Sequence, residues 1–187
     1  VFEFFKHNGL YITKNSATAL YVGIYDDTLA FSLGRCDERT FEKINFLVEC
    51  GASPSDIANK LLRRDSLAKY RIIPKVLDSL ELFKEGEIAS IIAKEEWFKQ
   101  TGAHNRDCED ALDMVMSIAV VKIAFFVRVV NGISRISLRS KGKIDVAKIA
   151  AVFEGGGHFN AAGCNIDTLD VEKAKEIVLK EIFEVYK

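Results

Sequence analysis

Gly155-Gly156-Gly157-His158 is the segment of this chain with the clearest chemical potential. Each glycine costs roughly 0.5–1 kcal/mol of extra chain entropy when it is ordered, so a run of them asks for a reason. Without side chains, their backbone N–H groups approach a ligand closely and converge on an anion. His158 follows where it can donate to a phosphate or stack on a base. Residues 158–162 suit a short helix whose N-terminus would add a favourable partial charge. In that helix Ala161 and Ala162 would allow a tight seat on a sheet, and Gly163 would end it. The plainer alternative is a tight turn between two elements, with His158 on the surface. Upstream lies Ser137-Leu138-Arg139-Ser140-Lys141-Gly142. Arg139 offers a bidentate fork for phosphate, and Ser140 and Lys141 supply further donors. Alone this is an ordinary basic strand end; it gains meaning because one short helix could fold it against the glycines.

The elements that must position these residues can be read from periodicity. Val1, Phe4, Phe5 and then Ala17, Leu20, Tyr21 give two helical stretches around a loop at Asn8-Gly9. Asp26-Asp27-Thr28 marks a break. Asp37 caps a helix with Phe41, Ile44, Leu47 and Val48 on its apolar face, stopped by Gly51. Ser53-Pro54 starts another, with proline in the first turn where its missing N–H costs nothing. Residues 66–83 remain helical but contain Pro74, which predicts a kink or break, and the domain boundary is placed there. Strands follow. Residues 87–94 are β-rich, 95–100 form a short helix, and 107–116 are helical. Asn131-Gly132 between residues 120–130 and 133–138 is the strongest short hairpin signal, because both tolerate positive φ. A helix over 145–153 begins at Asp145, residues 164–166 form a strand, and Asp170 caps a terminal helix.

Composition bounds what such a chain can do. Of 187 residues, 49% are apolar and 28% charged, the balance of an ordinary globular protein. Twenty-six basic and twenty-seven acidic residues give a net charge of -1. That argues against a broad sequence-blind nucleic-acid coat, which would want a basic excess, and leaves room for a small site holding one or two phosphates. Cys36, Cys50, Cys108 and Cys164 are scattered, with neither a disulfide framework nor zinc spacing, and read as free thiols of a reducing cytosol. The longest apolar run, near residues 118–130, is interrupted by Lys122 and Arg128 and is too short to span a bilayer. A cytoplasmic protein without membrane contact is expected. The opening at Val1, directly on an apolar helical pattern, reads as a cut inside a domain or an expression boundary.

Taken together, the string Gly155-Gly-Gly-His-Phe-Asn-Ala-Ala-Gly163 is similar to the signature of the DHH-associated C-terminal domain, Gly-Gly-Gly-His-x-x-Ala-Ala-Gly. Ser137 to Gly142 resembles the strand before it, as does the helix from Asp145. Gly23-Ile-Tyr-Asp-Asp-Thr-Leu-Ala-Phe31 resembles the fourth metal motif of the DHH phosphoesterases, which makes Asp27 the candidate metal-binding and catalytic carboxylate. Asp26 stands where a threonine is common and Leu29 where a small residue is common, so either acid of the pair is a candidate. Without the resemblance, the pair reads as a solvated turn or helix cap.

The resemblance implies an α/β chain in two parts: the helical remainder of a DHH domain (1–66), a linker (67–83), and a mixed-sheet substrate-binding domain (84–187). It implies that Arg139, Ser140, Lys141, Gly155, Gly156, Gly157 and His158 surround the phosphate and base of a short single-stranded oligonucleotide or nucleotide. It further implies two Mn²⁺ ions that polarise the phosphate and activate water, and is compatible with a homodimer. The earlier aspartate motifs and the Asp-His-His string are absent from the sequence, so this chain alone would be an incomplete catalyst. The implied activity is hydrolysis of phosphate esters in oligoribonucleotides, dinucleotides or 3′-phosphoadenosine 5′-phosphate. Two alternatives come from other classes: a non-catalytic nucleotide-binding module, and the tRNA-contacting domain of an alanyl-tRNA synthetase, against which the 23–31 motif speaks. The glycine-histidine string likewise disfavours the pyrophosphatases that share the DHH domain.

Overall fold

The computed structural model describes residues 1–28, 30–31, 36–62 and 65–186, which form two compact units, Val1–Asp65 and Ser66–Lys187. In the first, helices α1 (Phe2–His7), α2 (Lys14–Asp27), α3 (Glu38–Glu49) and α4 (Pro54–Leu62) follow one another. Two starts are fixed by side-chain caps. Thr13 accepts from the Ser16 N–H at 3.2 Å, and Asp37 accepts from the Thr40 N–H at 3.0 Å. Phe2, Ala17, Tyr21, Leu47 and Ile57 are buried together. The apolar face expected on α3 is only partly covered: Leu47 is buried, whereas Phe41 is 52% exposed. Phe31 packs edge-on against Tyr25 at 5.6 Å between ring centroids.

The second unit is a mixed six-stranded sheet of order β1-β2-β3-β4-β6-β5. Its strands are β1 (Glu81–Phe83), β2 (Ile88–Ala93), β3 (Ile123–Val130), β4 (Ile133–Ser140), β5 (Gly156–His158) and β6 (Ala161–Ile166). Only β2 and β3 pair in parallel, and between them the chain passes through α6 (Glu95–Thr101), a 3-10 turn (Asn105–Cys108) and α7 (Asp110–Met116). Asn131 and Gly132 take φ of 53° and 82°, as a two-residue hairpin turn with the right twist requires.

Alternation gives the sheet two faces. Ile88, Phe125, Val127, Ile136 and Leu138 point to one, sealed by α8 (Val146–Val152) and α9 (Val171–Val185). Ala89, Ile91, Ala124 and Phe126 point to the other, covered by α7 and by α5 (Leu67–Asp78).

The sequence expectations need two corrections here. The segment 67–83, read as a linker, is helix α5 and strand β1 of the second unit, and α5 runs unbroken through Pro74. An interior proline costs about 3 kcal/mol or more. Burial of Ile72, Ile73 and Val76, at roughly 1.5–3 kcal/mol each, outweighs it. The short helix expected over 158–162 does not form either: β5 and β6 make a hairpin through Phe159-Asn160. Ala162, Cys164 and Ile166 are all buried, and a period of two places them in the core where a helical period would not. Asn160 fixes the turn, its Nδ2 donating to Ser140 Oγ at 2.9 Å and its carbonyl accepting from the Ser140 N–H at 3.1 Å.

Candidate functional site

On the sheet face that α5 and α7 cover, strands β4, β6 and β5 lie beyond the apolar cluster those helices bury. The register assigns the residues there. Arg135, Ser137 and Arg139 of β4 alternate with the buried Ser134, Ile136, Leu138 and Ser140. Cross-strand partners share a face, so Arg139 lies in one row with Ala161 and His158, Ser137 with Gly163 and Gly156, and Arg135 with Arg128 and Asn165. Arg139 and His158 are therefore two strands apart, about 9–10 Å at the usual spacing. A cavity of about 470 Å³ opens over this grid, lined by Arg128, Arg135, Arg139 and Gly156 together with Glu109, just before α7, and Asp113 of α7.

The three glycines have different reasons to be glycine. A Cβ on Gly155 would sit 2.3 Å from the Gly163 carbonyl oxygen, and one on Gly157 would sit 2.5 Å from that of Ala161. Both are demanded by the close approach of β5 to β6. Gly156 meets nothing within 4 Å, yet it is the one in the cavity wall. Packing does not explain its missing side chain; a ligand against the backbone would.

Arg139 reaches the cavity and is only loosely held. Its Nη1 donates to the Leu138 carbonyl at 3.1 Å, and its Nε lies 3.8 Å from Asp113 Oδ1, whose side chain is 74% exposed. An exposed pair at that distance leaves the fork available. Ser140 and Lys141 are placed otherwise than expected. Ser140 Oγ donates to the Ile144 carbonyl at 2.6 Å and Lys141 Nζ to the Ile118 carbonyl at 2.7 Å; neither lines the cavity. They fasten the end of β4. His158 and Gly157 are exposed at the end of β5, outside the lining, and Gly155 borders a neighbouring depression.

Sequence reasoning missed Arg128 and Arg135. Arg128 was noted only as a charge interrupting an apolar run. It is 5% exposed, its guanidinium stacks 4.9 Å from the Phe126 ring centroid, and its Nη2 lies 3.4 Å from Glu109 Oε1. Burial pulls its affinity for the proton below the ordinary value, and the Arg135 charge pulls the same way. The signal was available: the two-residue turn pairs 128 with 135, and alternation then puts both on the face of Arg139.

Asp27 ends α2 in the first unit and lines a separate cavity there with Gly23, Ile24, Thr28 and Lys43; Asp26 does not line it. Leu29 lies outside the described residues. Among the described residues, no three His, Cys, Asp or Glu side chains come together in a group able to hold a metal ion. A two-metal centre therefore does not fit these residues by themselves. Cys108 and Cys164 are pushed up to about 11 by burial, so their thiols stay protonated and are poor ligands or nucleophiles. No helix among the described residues is long and apolar enough to cross a membrane.

The model of the DHHA1 domain family matches residues 87–186 of this chain. The chain is 32% identical over 180 residues to the cyclic-di-AMP phosphodiesterase GdpP of Bacillus subtilis, covering 95% of this chain and 26% of that protein. It is 25% identical over 176 residues to the bifunctional oligoribonuclease and PAP phosphatase NrnA of Thermus thermophilus, covering 94% of this chain and 52% of that one. Among solved structures, an exopolyphosphatase-related protein from Bacteroides fragilis superposes with a TM-score of 0.84 at 28% identity, over 92% of this chain and 51% of that one. The chain thus spans between about a quarter and about half of the length of these curated relatives.

Proposed function

Because this chain belongs to the DHHA1 domain family of the DHH phosphoesterases, we propose that its second unit is the substrate-gripping part of an enzyme that hydrolyses phosphate esters of short nucleotides. The observation that carries this reading is that Arg139 and Gly156 share one cavity wall on the sheet. A guanidinium fork and an exposed glycine backbone are two classes of donor that hold a phosphate without a metal. The grid also allows the rest of a nucleotide. His158, in the row of Arg139, can meet a base, and the Glu109 carboxylate can accept from sugar hydroxyls.

Within this chain the chemistry is binding and orientation. In a ligand with more than one phosphate, holding the far one would fix which ester bond is presented to a catalytic centre, so the cavity acts as a length ruler, and ApA with its single phosphate reports the grip alone. Asp27 is the carboxylate this chain would offer to such a centre, which needs ligands beyond the described residues. That same shortage favours a second reading, a nucleotide-binding module without turnover. Turnover of pApA by the chain with added Mn²⁺ would refute both the shortage and the module, whereas binding without turnover supports the module.

The grip itself is tested by titrating ApA into the wild type and Arg139→Ala. Loss of a charge-assisted contact should weaken binding by about 1.5–3 kcal/mol, roughly 10- to 150-fold. Equal affinities for the two proteins would sink the reading.

A further inference from the structure

A second depression of about 720 Å³ adjoins the cavity and shares Arg135, Gly156 and Gly163 with it. Across that shared rim the chemistry changes sign. The floor of the cavity carries arginines, whereas the depression adds two carboxylates, Glu154 and Asp167, and the Asn165 amide. Half-buried Phe153 and Ile133 supply an apolar wall. Register places Asn165 in the row of Arg135, and Gly156 in the row of Ser137, two residues further along β4. The two rows are about 7 Å apart at the usual rise per residue, a step that a nucleotide spans between its phosphate and its base. Local structure does not ask for an acid at position 154. α8 ends in a Schellman turn, the Gly155 N–H donating to the Ala150 carbonyl at 2.9 Å and the Glu154 N–H to that of Ala151 at 3.1 Å. Glu154 takes a φ of 56° there, where glycine is favoured, and a helix C-terminus favours a cation over an anion. The side chains of Arg135, Glu154, Asn165 and Asp167 meet no hydrogen-bond or ion-pair partner among the described residues. Neither the helix stop nor internal pairing accounts for Glu154; a ligand in the depression would.

Resting on the reading of Arg139 and Gly156 as a phosphate site, we propose that this depression is a base-reading subsite selective for guanine, on the nucleotide whose phosphate that site holds. The edges of the four bases decide between them. An unpaired base presents its Watson–Crick edge to side chains. Guanine offers N1–H and an N2 hydrogen side by side, which match the two oxygens of one carboxylate, and a further N2 hydrogen for a second. Its O6 then accepts from Arg135 or Asn165. Adenine and cytosine offer a single amino group flanked by a ring-nitrogen lone pair, which would face the second carboxylate oxygen. Uracil sets its one N–H between two carbonyls. Glu154 is the carboxylate assigned to the N1–H and N2–H pair, with Asp167 as the further acceptor, and Phe153 and Ile133 cover the base. His158 lies on the other side of the Gly156 row and is left to the neighbouring nucleotide.

The test titrates GMP, IMP and AMP into the full chain. GMP should bind about 5- to 150-fold more tightly than AMP, the range that one bidentate base contact gives. IMP, which keeps N1–H and O6 and lacks the 2-amino group, should fall between them. Glu154→Gln keeps the size and removes one acceptor, and should cut the GMP-to-AMP ratio below about threefold. Glu154→Gly should cut it as far while its thermal midpoint stays at or above that of the wild type, since glycine suits the backbone there. Lost selectivity in that variant is then separate from lost folding. No preference for GMP in the wild type, a preference that survives Glu154→Gly, or equal losses of GMP and AMP in Glu154→Gln would overturn the subsite. A Glu154→Gly protein less stable than the wild type would overturn it too, because the acid would then serve the fold. Arg139→Ala should weaken GMP and AMP by the same factor. Unchanged binding of both in that variant would instead overturn the phosphate site, with the ratio still measuring the base subsite.

Discussion

The two faces of the sheet are built from the same strands and obey opposite rules. On one, Ile136 and Leu138 of β4 are sealed beneath α8 and α9 with Phe125, Val127 and Ile149. On the other, Arg135, Ser137 and Arg139 of the same strand line an open cavity with glycines and a buried arginine. Packing decides the residues of the first face, whereas the second, beyond the apolar cluster that α5 and α7 bury, holds like charges opposite each other and backbone left bare. The difference teaches where stability and binding reside. Apolar burial on the closed face supplies the free energy that tolerates an unfavourable charge arrangement on the open one.

The comparison breaks most visibly on the closed face. Leu138→Ala should lower unfolding free energy by about 2–5 kcal/mol, measured by denaturant titration, because the site is fully buried in a close-packed cluster. Arg139, its neighbour in sequence, should change stability little when truncated and change ApA affinity instead. If Leu138→Ala proved harmless, the closed face would not be the molecule's store of stability.

A finer break uses the glycines. Gly155→Ala should cost about 1–3 kcal/mol of stability, since its Cβ would collide with backbone of β6 that cannot move without opening the ladder. Gly156→Ala should leave the unfolding curve within about 0.5 kcal/mol of wild type, because open space surrounds it. It should still weaken ApA binding, its methyl group standing where a phosphate would approach the backbone. Stability and affinity measured on both variants settle the comparison. Equal destabilisation by the two, with no effect on ApA from either, would return the whole glycine run to a structural role.

Much of this was legible in the sequence. The Asn131-Gly132 hairpin, the Asp37 and Asp170 caps and the helix from Asp145 each rest on local chemistry that the structure follows. Arg139 was legible because strand end and glycine run lie close in sequence. What failed was decided by distant contacts. Pro74 sits in a helix because β2 lies beneath it, and Ala161-Ala162 are strand because the core asks for alternation. Ser140 and Lys141 look like phosphate donors until Ile144, Asn160 and Ile118 claim them. Arg128 and Arg135 stayed hidden because a charge within an apolar run carries no motif; only strand register joins them.

The smallest expected effect concerns the helix side of the cavity on the open face. Asp113 sits on α7, a helix that buries Leu112 and Val115 and turns its acids toward the cavity. At 3.8 Å from Arg139 Nε it is a weak, solvated partner that a bound phosphate would have to share or displace. Asp113→Asn keeps the shape and removes the charge, so ApA should bind more tightly, by up to about fivefold at low salt. The gain should shrink as ionic strength rises, because an exposed charge is screened within about 10 Å at 0.1 M salt. Binding of ApA by the two proteins at low and high salt reads this directly. Tighter binding that persists at high salt would point to a changed shape of α7, and weaker binding would make Asp113 an acceptor for the ligand itself, moving the polar end of the cavity from β4 onto the helix.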